Sequence, residues 1–425
     1  MTYNEAIAYI HSISWRGSRP GLERIRALCD LLGNPQDALS FVHVAGTNGK
    51  GSVCAMLSEI FQCAGYRTGL FTSPYVYRFN ERIAADGVPI SNDCLTEVIA
   101  EIRPLADRME DPPTEFELIT AAAFLYFSKV KCQVVILETG MGGRLDSTNI
   151  IKNPLAAVIT GIGLDHTAQL GSTIVEISRE KAGIIKPGCP VILGDSGDAV
   201  RQVVEEKAAA EGAVVYPVDF SALRIEQLSL EGTQFSIAGN GAPYHLQLLG
   251  KYQPQNAAIA IKTAQVLGLS DESIRRGLEN ARWPARFEIL RRNPFIIFDG
   301  GHNSQGIDAV VDTVKALFPD RVHILTGVMA DKNYVAMAQK LGEVGVNIYC
   351  VTPANARALP AGDYAFVFAK AGWSARAVED MEKALELAVE GSRRDGRPLL
   401  IVGSLYMYKE VVDLLEYLEQ KRKMQ

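Results

Sequence analysis

Between the apolar run Phe41-Val42-His43-Val44-Ala45 and a helix-patterned stretch opening at Ser52 lies Gly46-Thr47-Asn48-Gly49-Lys50-Gly51-Ser52. Amide N–H groups in a strand-to-helix turn of this kind can cradle phosphate oxygens, the helix N-terminus adds a favourable potential, and Lys50 supplies a point charge for the β and γ phosphates. The first glycine stands in the wrong place for the common G-x-x-x-x-G-K loop, and Gly51 follows the lysine where serine or threonine usually ligates magnesium. A divalent ion must therefore find oxygen ligands elsewhere. Glu138 closes the apolar run Val134 to Leu137, and a carboxylate at the carboxyl end of a parallel strand sits where α/β sheets bind ligands. Such a hard donor suits magnesium; a solvated strand-end glutamate is the plainer alternative. His166, beside Asp165 in a glycine-rich turn, is either a satisfied loop residue or a metal ligand. Lys181 lies four residues beyond Ile177 on a helical face that otherwise reads as core, unless its amine snorkels to the surface. Asn256 opens a helix, where its amide can cap or reach a base. Thr114 and Glu117 fit an N-terminal capping box ahead of the apolar helix Leu118 to Phe127.

The elements that must position these groups follow from periodicity. Helical patterns at Tyr3 to Ile13 and Leu22 to Leu32 precede the Phe41 to Ala45 strand. Short apolar runs at Thr68 to Phe71, Gln133 to Leu137, Leu155 to Thr160 and Pro190 to Leu193 then alternate with helical stretches at Ser52 to Cys63, Leu95 to Met109 and Glu117 to Lys129. Strands without internal polar alternation, separated by helices, predict a doubly wound, mostly parallel sheet covered on both faces. The short alternations within Ala222 to Leu249 predict a small added antiparallel sheet. The Arg- and Pro-rich stretch Trp283 to Pro294 reads as a hinge, and from Phe295 a second alternating series predicts a smaller Rossmann-like α/β domain. The expected division is 1–290 and 291–425.

With 425 residues, 48% hydrophobic, the chain has ample material for two or three domains and is neither disordered nor fibrous. Its 43 Lys and Arg against 49 Asp and Glu give a net charge of −6, which argues against a dedicated nucleic-acid binder. The seven cysteines never form C-x-x-C, so neither zinc spacing nor a disulfide framework is visible and reduced thiols are expected. No apolar run approaches the roughly 18 residues of a membrane span.

Nearly the whole chain resembles the folylpolyglutamate synthases and dihydrofolate synthases of the Mur ligase superfamily. The resemblance rests on blocks in the family's order: His43 to Val53, Thr72-Ser73-Pro74 through Ile83, Glu138 through Asn149, Asp165-His166, Glu180 to Gly183, Gln255 to Ala258, Arg286-Phe287-Glu288, Asp299-Gly300-Gly301-His302-Asn303 and Gly403 to Tyr406. It implies a cytoplasmic, monomeric enzyme, without nucleic-acid or membrane partners, that uses ATP to join L-glutamate to the carboxylate of a folate or of dihydropteroate through an acyl phosphate. By the same resemblance Thr47, Asn48, Gly49, Lys50, Gly51, Ser52, Asn256, Arg286 and Asp299 bind ATP. Ser73 and Glu138 hold one magnesium ion; His166 and Lys181 belong to a second, with Lys181 carbamylated. Phe116, Glu117, Leu145, Asp146 and Ser147 line a pterin pocket, and His302 stands with Lys50 and Lys181 at the reacting centre. The second domain is expected to close over the first and exclude water. Gly301 departs from the family's usual alanine. Two other readings stay open: a Mur-type ligase for a UDP-sugar peptide, disfavoured because only 45 residues precede Gly46, and a non-catalytic ATP-binding regulator of the same fold.

Overall fold

The computed structural model describes residues 1–17, 19–194 and 197–423, in two compact units. The first comprises Met1–Arg224, Ser236–His245 and Gln255–Ala281; the second comprises Ile225–Phe235, Leu246–Pro254 and the chain from Arg282 onward.

In the first unit β1 (Phe41–Ala45), β2 (Thr68–Phe71), β3 (Ile83–Ala85), β4 (Val88–Pro89), β5 (Val134–Glu138), β6 (Ala156–Ile159), β7 (Val191–Leu193) and β8 (Val215–Pro217) form one sheet in the order β4-β3-β2-β5-β1-β6-β7-β8. All neighbours are parallel except the hairpin at one edge, where β3 runs antiparallel to β2 and to β4. Every residue of β1, β5 and β6 is buried, as expected for strands covered on both faces. On one face the helices Tyr3–Ser12, Asn92–Ala106 and Glu115–Lys129 bring Ile10, Ile99, Ile102, Phe124 and Phe127 into one cluster with Phe41, Val135 and Leu137. Farther along the same face, Ile177, Val200 and Val204 from the helices Ile174–Ala182 and Asp198–Ala210 pack with Ala157 and Ile159. Each large side chain so buried contributes roughly 1.5–3 kcal/mol. The chain winds from β1 outward on one side and returns through β5 to β6 on the other. Winding that reverses at β1 opens a crevice at the carboxyl ends of β1, β5 and β6.

β9 (Leu223–Ser229), β10 (Gly232–Ile237) and β11 (Tyr244–Leu246) make the small antiparallel sheet where the alternating pattern predicted it. In the second unit β12 (Glu288–Arg292), β13 (Phe295–Asp299), β14 (Val322–Thr326), β15 (Gly345–Cys350), β16 (Ala375–Ala377) and β17 (Leu399–Val402) are ordered β12-β13-β17-β14-β15-β16. All are parallel except β12, which pairs antiparallel with β13. The stretch read as hinge therefore contains an edge strand. Its arginines and flanking prolines punctuate like a loop, yet an edge strand tolerates both, since only one side must pair.

All seven cysteines are free thiols, and among the described residues no helix is long and apolar enough to cross a membrane.

Candidate functional site

The segment after β1 is shaped by close approaches that only glycine permits. Gly46 has φ 157°, and a Cβ there would fall 1.7 Å from Thr160 Oγ1; Gly49 has φ 84°, and a Cβ there would fall 2.3 Å from Asn256 Oδ1. Thr160, just past β6, donates its hydroxyl to the Asn48 carbonyl at 2.7 Å. The Thr47 and Asn48 amides donate to the Gly161 carbonyl at 2.8 and 3.4 Å, and Thr47 Oγ1 exchanges hydrogen bonds with Gly163 N and O at 3.0 Å each. Thr47 and Asn48 thus brace the loop, while helix Lys50–Cys63 opens directly behind it with Lys50, Gly51 and Ser52 in its first turn. The Ser52 side chain is buried, and Lys50 Nζ, half-buried, donates to the Thr47 carbonyl at 3.2 Å. The geometry is that of an anion cradle with the Lys50 cation at its rim.

Lys181 is brought to the same loop. Helix Ile174–Ala182 begins with a Thr173–Glu176 capping box and buries Ile177, Ser178, Lys181 and Ala182 on one face. Its end lies against the glycine loop after β5: a Cβ on Gly143 would meet the Glu180 and Lys181 carbonyls at 2.8 and 2.9 Å, and the Arg144 amide donates to the Glu180 carbonyl at 2.7 Å. Lys181, only 4% exposed, donates from Nζ to the Gly46 carbonyl at 2.7 Å. Burial, reinforced by the Lys50 charge and opposed by Asp165 and Asp146, pulls its pKa down to about 7. The lysine does not snorkel.

Glu138 is buried at the end of β5, and its Oε2 accepts from the Ser73 amide at 3.1 Å. Ser73 Oγ accepts from Arg82 Nη1 at 3.0 Å. His166 is exposed at φ 51°, its amide donating to Asp165 Oδ1 at 2.9 Å. Among the described residues no three His, Cys, Asp or Glu side chains assemble a ready-made metal cage. One buried carboxylate with a hydroxyl beside a phosphate loop nevertheless fits magnesium, which keeps several waters and is bound by one or two carboxylates together with substrate phosphates.

Beside this crevice a cavity of about 460 Å³ is lined by Phe116, Leu145, Asp146 and Ser147 together with Arg82 and the Gly140–Met141 loop. Gly140 lets the Phe116 ring approach, since a Cβ there would fall 2.5 Å from it. Glu117 is placed differently: 1% exposed, it accepts from Thr114 N at 2.7 Å and Thr114 Oγ1 at 2.9 Å, closing the capping box, and pairs with Arg24 Nε at 3.0 Å. Asp146 Oδ2 accepts from the Met141 amide at 2.7 Å, and Oδ1 from Thr148 Oγ1 at 2.6 Å and Thr148 N at 3.1 Å. Burial raises the Asp146 pKa, while these donors and Gly140 hold it back.

In the second unit Asp299 ends β13 with a buried carboxylate. Its Oδ2 accepts from Tyr252 OH and Phe287 N at 2.8 Å each, and Oδ1 from Gly301 N at 2.7 Å. Ala285 and Phe287, both buried, stand at φ 57° and 46° on either side of Arg286. Left-handed backbone at non-glycine residues is strained, and it persists where several bonds enforce it. Here Glu288 Oε2 accepts from Ala285 N at 2.7 Å and Tyr408 OH at 2.9 Å, while Asp299 holds Phe287. Arg286 Nη1 donates to the Ala285 carbonyl at 3.1 Å, and His302 Nδ1 lies 2.9 Å from the Gly300 carbonyl. A proton on Nδ1 leaves Nε2 as the basic nitrogen.

Thr160, Tyr252 and Arg82 had no assigned role in the sequence. A hydroxyl closing an apolar strand was the available signal for Thr160; Tyr252 lies 47 residues from its partner and left none.

The Mur ligase middle domain model matches residues 44–264, and the Mur ligase glutamate ligase domain model matches residues 285–405. A folylpolyglutamate synthase of Lacticaseibacillus casei is 37% identical over 430 residues, covering 97% of this chain and 98% of the relative. A dihydrofolate synthase/folylpolyglutamate synthase of Bacillus subtilis is 37% identical over 427 residues, covering 96% and 98%. Among solved structures, Mycobacterium tuberculosis folylpolyglutamate synthase complexed with ADP and AMPPCP superimposes with a TM-score of 0.89 at 30% identity, covering 97% of this chain and 98% of that one.

Proposed function

The chain belongs to the folylpolyglutamate synthase and dihydrofolate synthase family of Mur ligases, and we propose that it uses ATP to join L-glutamate to the carboxylate of a folate, of dihydropteroate, or of both. A carboxylate is a poor electrophile. Transfer of the γ-phosphoryl group to it gives an acyl phosphate, which the amine of glutamate attacks with loss of inorganic phosphate. Such transfer needs alignment and charge neutralisation more than covalent help from the protein. Lys50 and the amides of Lys50, Gly51 and Ser52 supply both for ATP, with Thr47, Asn48 and Gly49 shaping the loop and Asn256 beside it. Arg286 and Asp299 of the second unit are assigned to the nucleotide and His302 to the reacting centre. The working division is 1–290 for ATP binding and 291–425 for the partner domain.

Ser73, Glu138, His166 and Lys181 are the residues that would hold magnesium, in two sites, where the metal neutralises phosphate charge when bound. For Lys181 the reading includes carbamylation: the neutral amine attacks carbon dioxide, a C–N bond forms and a proton leaves, giving an anionic oxygen donor. A pKa of about 7 supports this, because a sizeable share of the amine is neutral at physiological pH. Phe116, Leu145, Asp146 and Ser147 are assigned to the pterin, and Glu117, through its bonds to Thr114 and Arg24, fixes the start of the helix that carries Phe116.

The observation that carries the reading is the convergence of the phosphate loop, buried Glu138 and the Lys181 amine at the carboxyl ends of β1 and β5, beside a cavity of about 460 Å³. The test supplies ATP, magnesium and labelled glutamate with dihydropteroate or tetrahydrofolate in separate reactions. Incorporation is expected with at least one acceptor. Incorporation with dihydropteroate alone removes polyglutamylation, and absence of both incorporation and ADP release revives the regulator.

A further inference from the structure

His43 is the one ionisable side chain within β1, fully buried in the middle of an otherwise apolar strand, and the proposed chemistry gives it no task. Its Nε2 lies 2.8 Å from Thr148 Oγ1, and that hydroxyl lies 2.6 Å from Asp146 Oδ1. The proton positions follow from counting. Asp146 is surrounded by donors and acts as an acceptor, so the single Thr148 hydroxyl proton points to Oδ1. The oxygen of Thr148 is then left to accept, which requires the proton of His43 on Nε2. Consistently, His43 Nδ1 is buried with no hydrogen-bond partner, a site that suits a bare nitrogen better than an N–H. Burial, with a smaller contribution from Lys186, lowers the imidazole pKa to about 3, so this donor is neutral across the physiological range.

The chain therefore runs His43 to Thr148 to Asp146, and Asp146 in turn holds the Met141 amide. One end stands on the strand that leads into the phosphate loop; the other forms a wall of the 460 Å³ cavity. We propose that His43 and Thr148 are positioning residues for the acceptor: their hydrogen-bond chain fixes the Asp146 carboxylate and the Gly140–Met141 wall relative to the phosphate loop, and so sets affinity for the pteridine-bearing substrate. This rests on the assignment of that cavity to the acceptor.

The experiment compares Thr148→Val with Thr148→Ser, and His43→Leu with His43→Gln, reading KM for acceptor, KM for ATP, and the dissociation constant of dihydropteroate without ATP. Loss of one neutral buried hydrogen bond predicts that Thr148→Val weakens acceptor binding by about tenfold, with KM for ATP changed by less than about twofold. Thr148→Ser keeps the hydroxyl and stays near the unaltered protein. His43→Gln, which retains an N–H donor, is less affected than His43→Leu. Should His43→Leu not fold, the Thr148 pair decides. Equal effects on ATP and acceptor, or a serine variant as weak as the valine variant, would overturn the proposal. Unaltered protein that binds and ligates the acceptor beside a Thr148→Val variant that does so equally well overturns the relay alone. No pteridine binding by the unaltered protein overturns the cavity assignment and the relay together.

Discussion

Two buried aspartates, one in each unit, solve the same problem in different ways. Asp146 takes two of its hydrogen bonds from Thr148, two residues on, within the short turn that it caps. Asp299 takes one from Tyr252, 47 residues earlier, and one from Phe287, whose left-handed backbone it helps to hold. Burial raises the pKa of both. Around Asp146 and the phosphate loop, close packing is achieved with glycines, and among the candidate site residues there only His166 stands at a positive φ without being glycine. Around Asp299, Arg286 is flanked by two strained residues, Ala285 clamped by Glu288 and Phe287 by Asp299. The first region should therefore yield activity defects separable from stability, and the second should yield the two together.

The largest expected effect tests that separation directly. Lys50→Ala removes the phosphate cation but no clamp, so ligation should fall by about a thousandfold with the melting temperature nearly unchanged. A parallel loss of stability, measured by calorimetry, would break the contrast. Lys181→Met goes further, because activity and stability should move in opposite directions. The folded pKa of about 7 lies below the ordinary 10.5, so the lysine's contribution is complete only above pH 10.5 and falls away as pH drops toward 7. In metal-free protein the methionine variant should gain about 2–4 kcal/mol at pH 7 and nothing above pH 10.5, by urea unfolding. Its ligase activity should be lost. For the carbamate, Lys181→Ala should regain activity with short carboxylic acids, and absence of rescue removes that part of the assignment.

In the second region Asp299→Asn turns a donor against amides that need an acceptor, at an expected cost of about 2–3 kcal/mol. Because the folded pKa is raised, the carboxyl group's contribution is fully present below its unfolded value, about 3.9, and declines as pH rises through the folded one. The cost of the asparagine should accordingly be larger near pH 3.5 than at pH 7. A cost that grows toward neutrality would contradict burial as the cause of the shift. The smallest effect is expected at Gly301→Ala. A Cβ there would meet Asp299 Oδ1 at 3.0 Å and Gly306 at 3.3 Å, contacts that need a slight shift. The reduced freedom of the unfolded chain offsets this, so stability should change by less than about 0.5 kcal/mol.

What could be read in the sequence follows the same line between local and distant. β1, β5 and β6 are continuous apolar runs and declared themselves, as did the Thr114–Glu117 capping box, whose partners are three residues apart. The hairpin of β3 and β4, the three-residue β8 and β16, and edge strand β12 did not, because two to five residues carry too little periodicity. The residue types around Lys50 and Glu138 pointed to phosphate and metal chemistry, and the family resemblance added Lys181. Nothing in the sequence revealed that Thr47 and Asn48 spend their amides on Gly161, or that His43 connects to Asp146 through Thr148. Those facts depend on which strands become neighbours, a property of the folded sheet.

Both outer strands of the eight-stranded sheet carry a proline, Pro89 in β4 and Pro217 in β8. A proline offers no N–H to an incoming chain, and in β4 both residues are exposed to solvent. A sheet with so many apolar parallel strands would otherwise present two templates for edge-to-edge self-association. With a proline in each outer strand, both edges are poorer templates for that pairing.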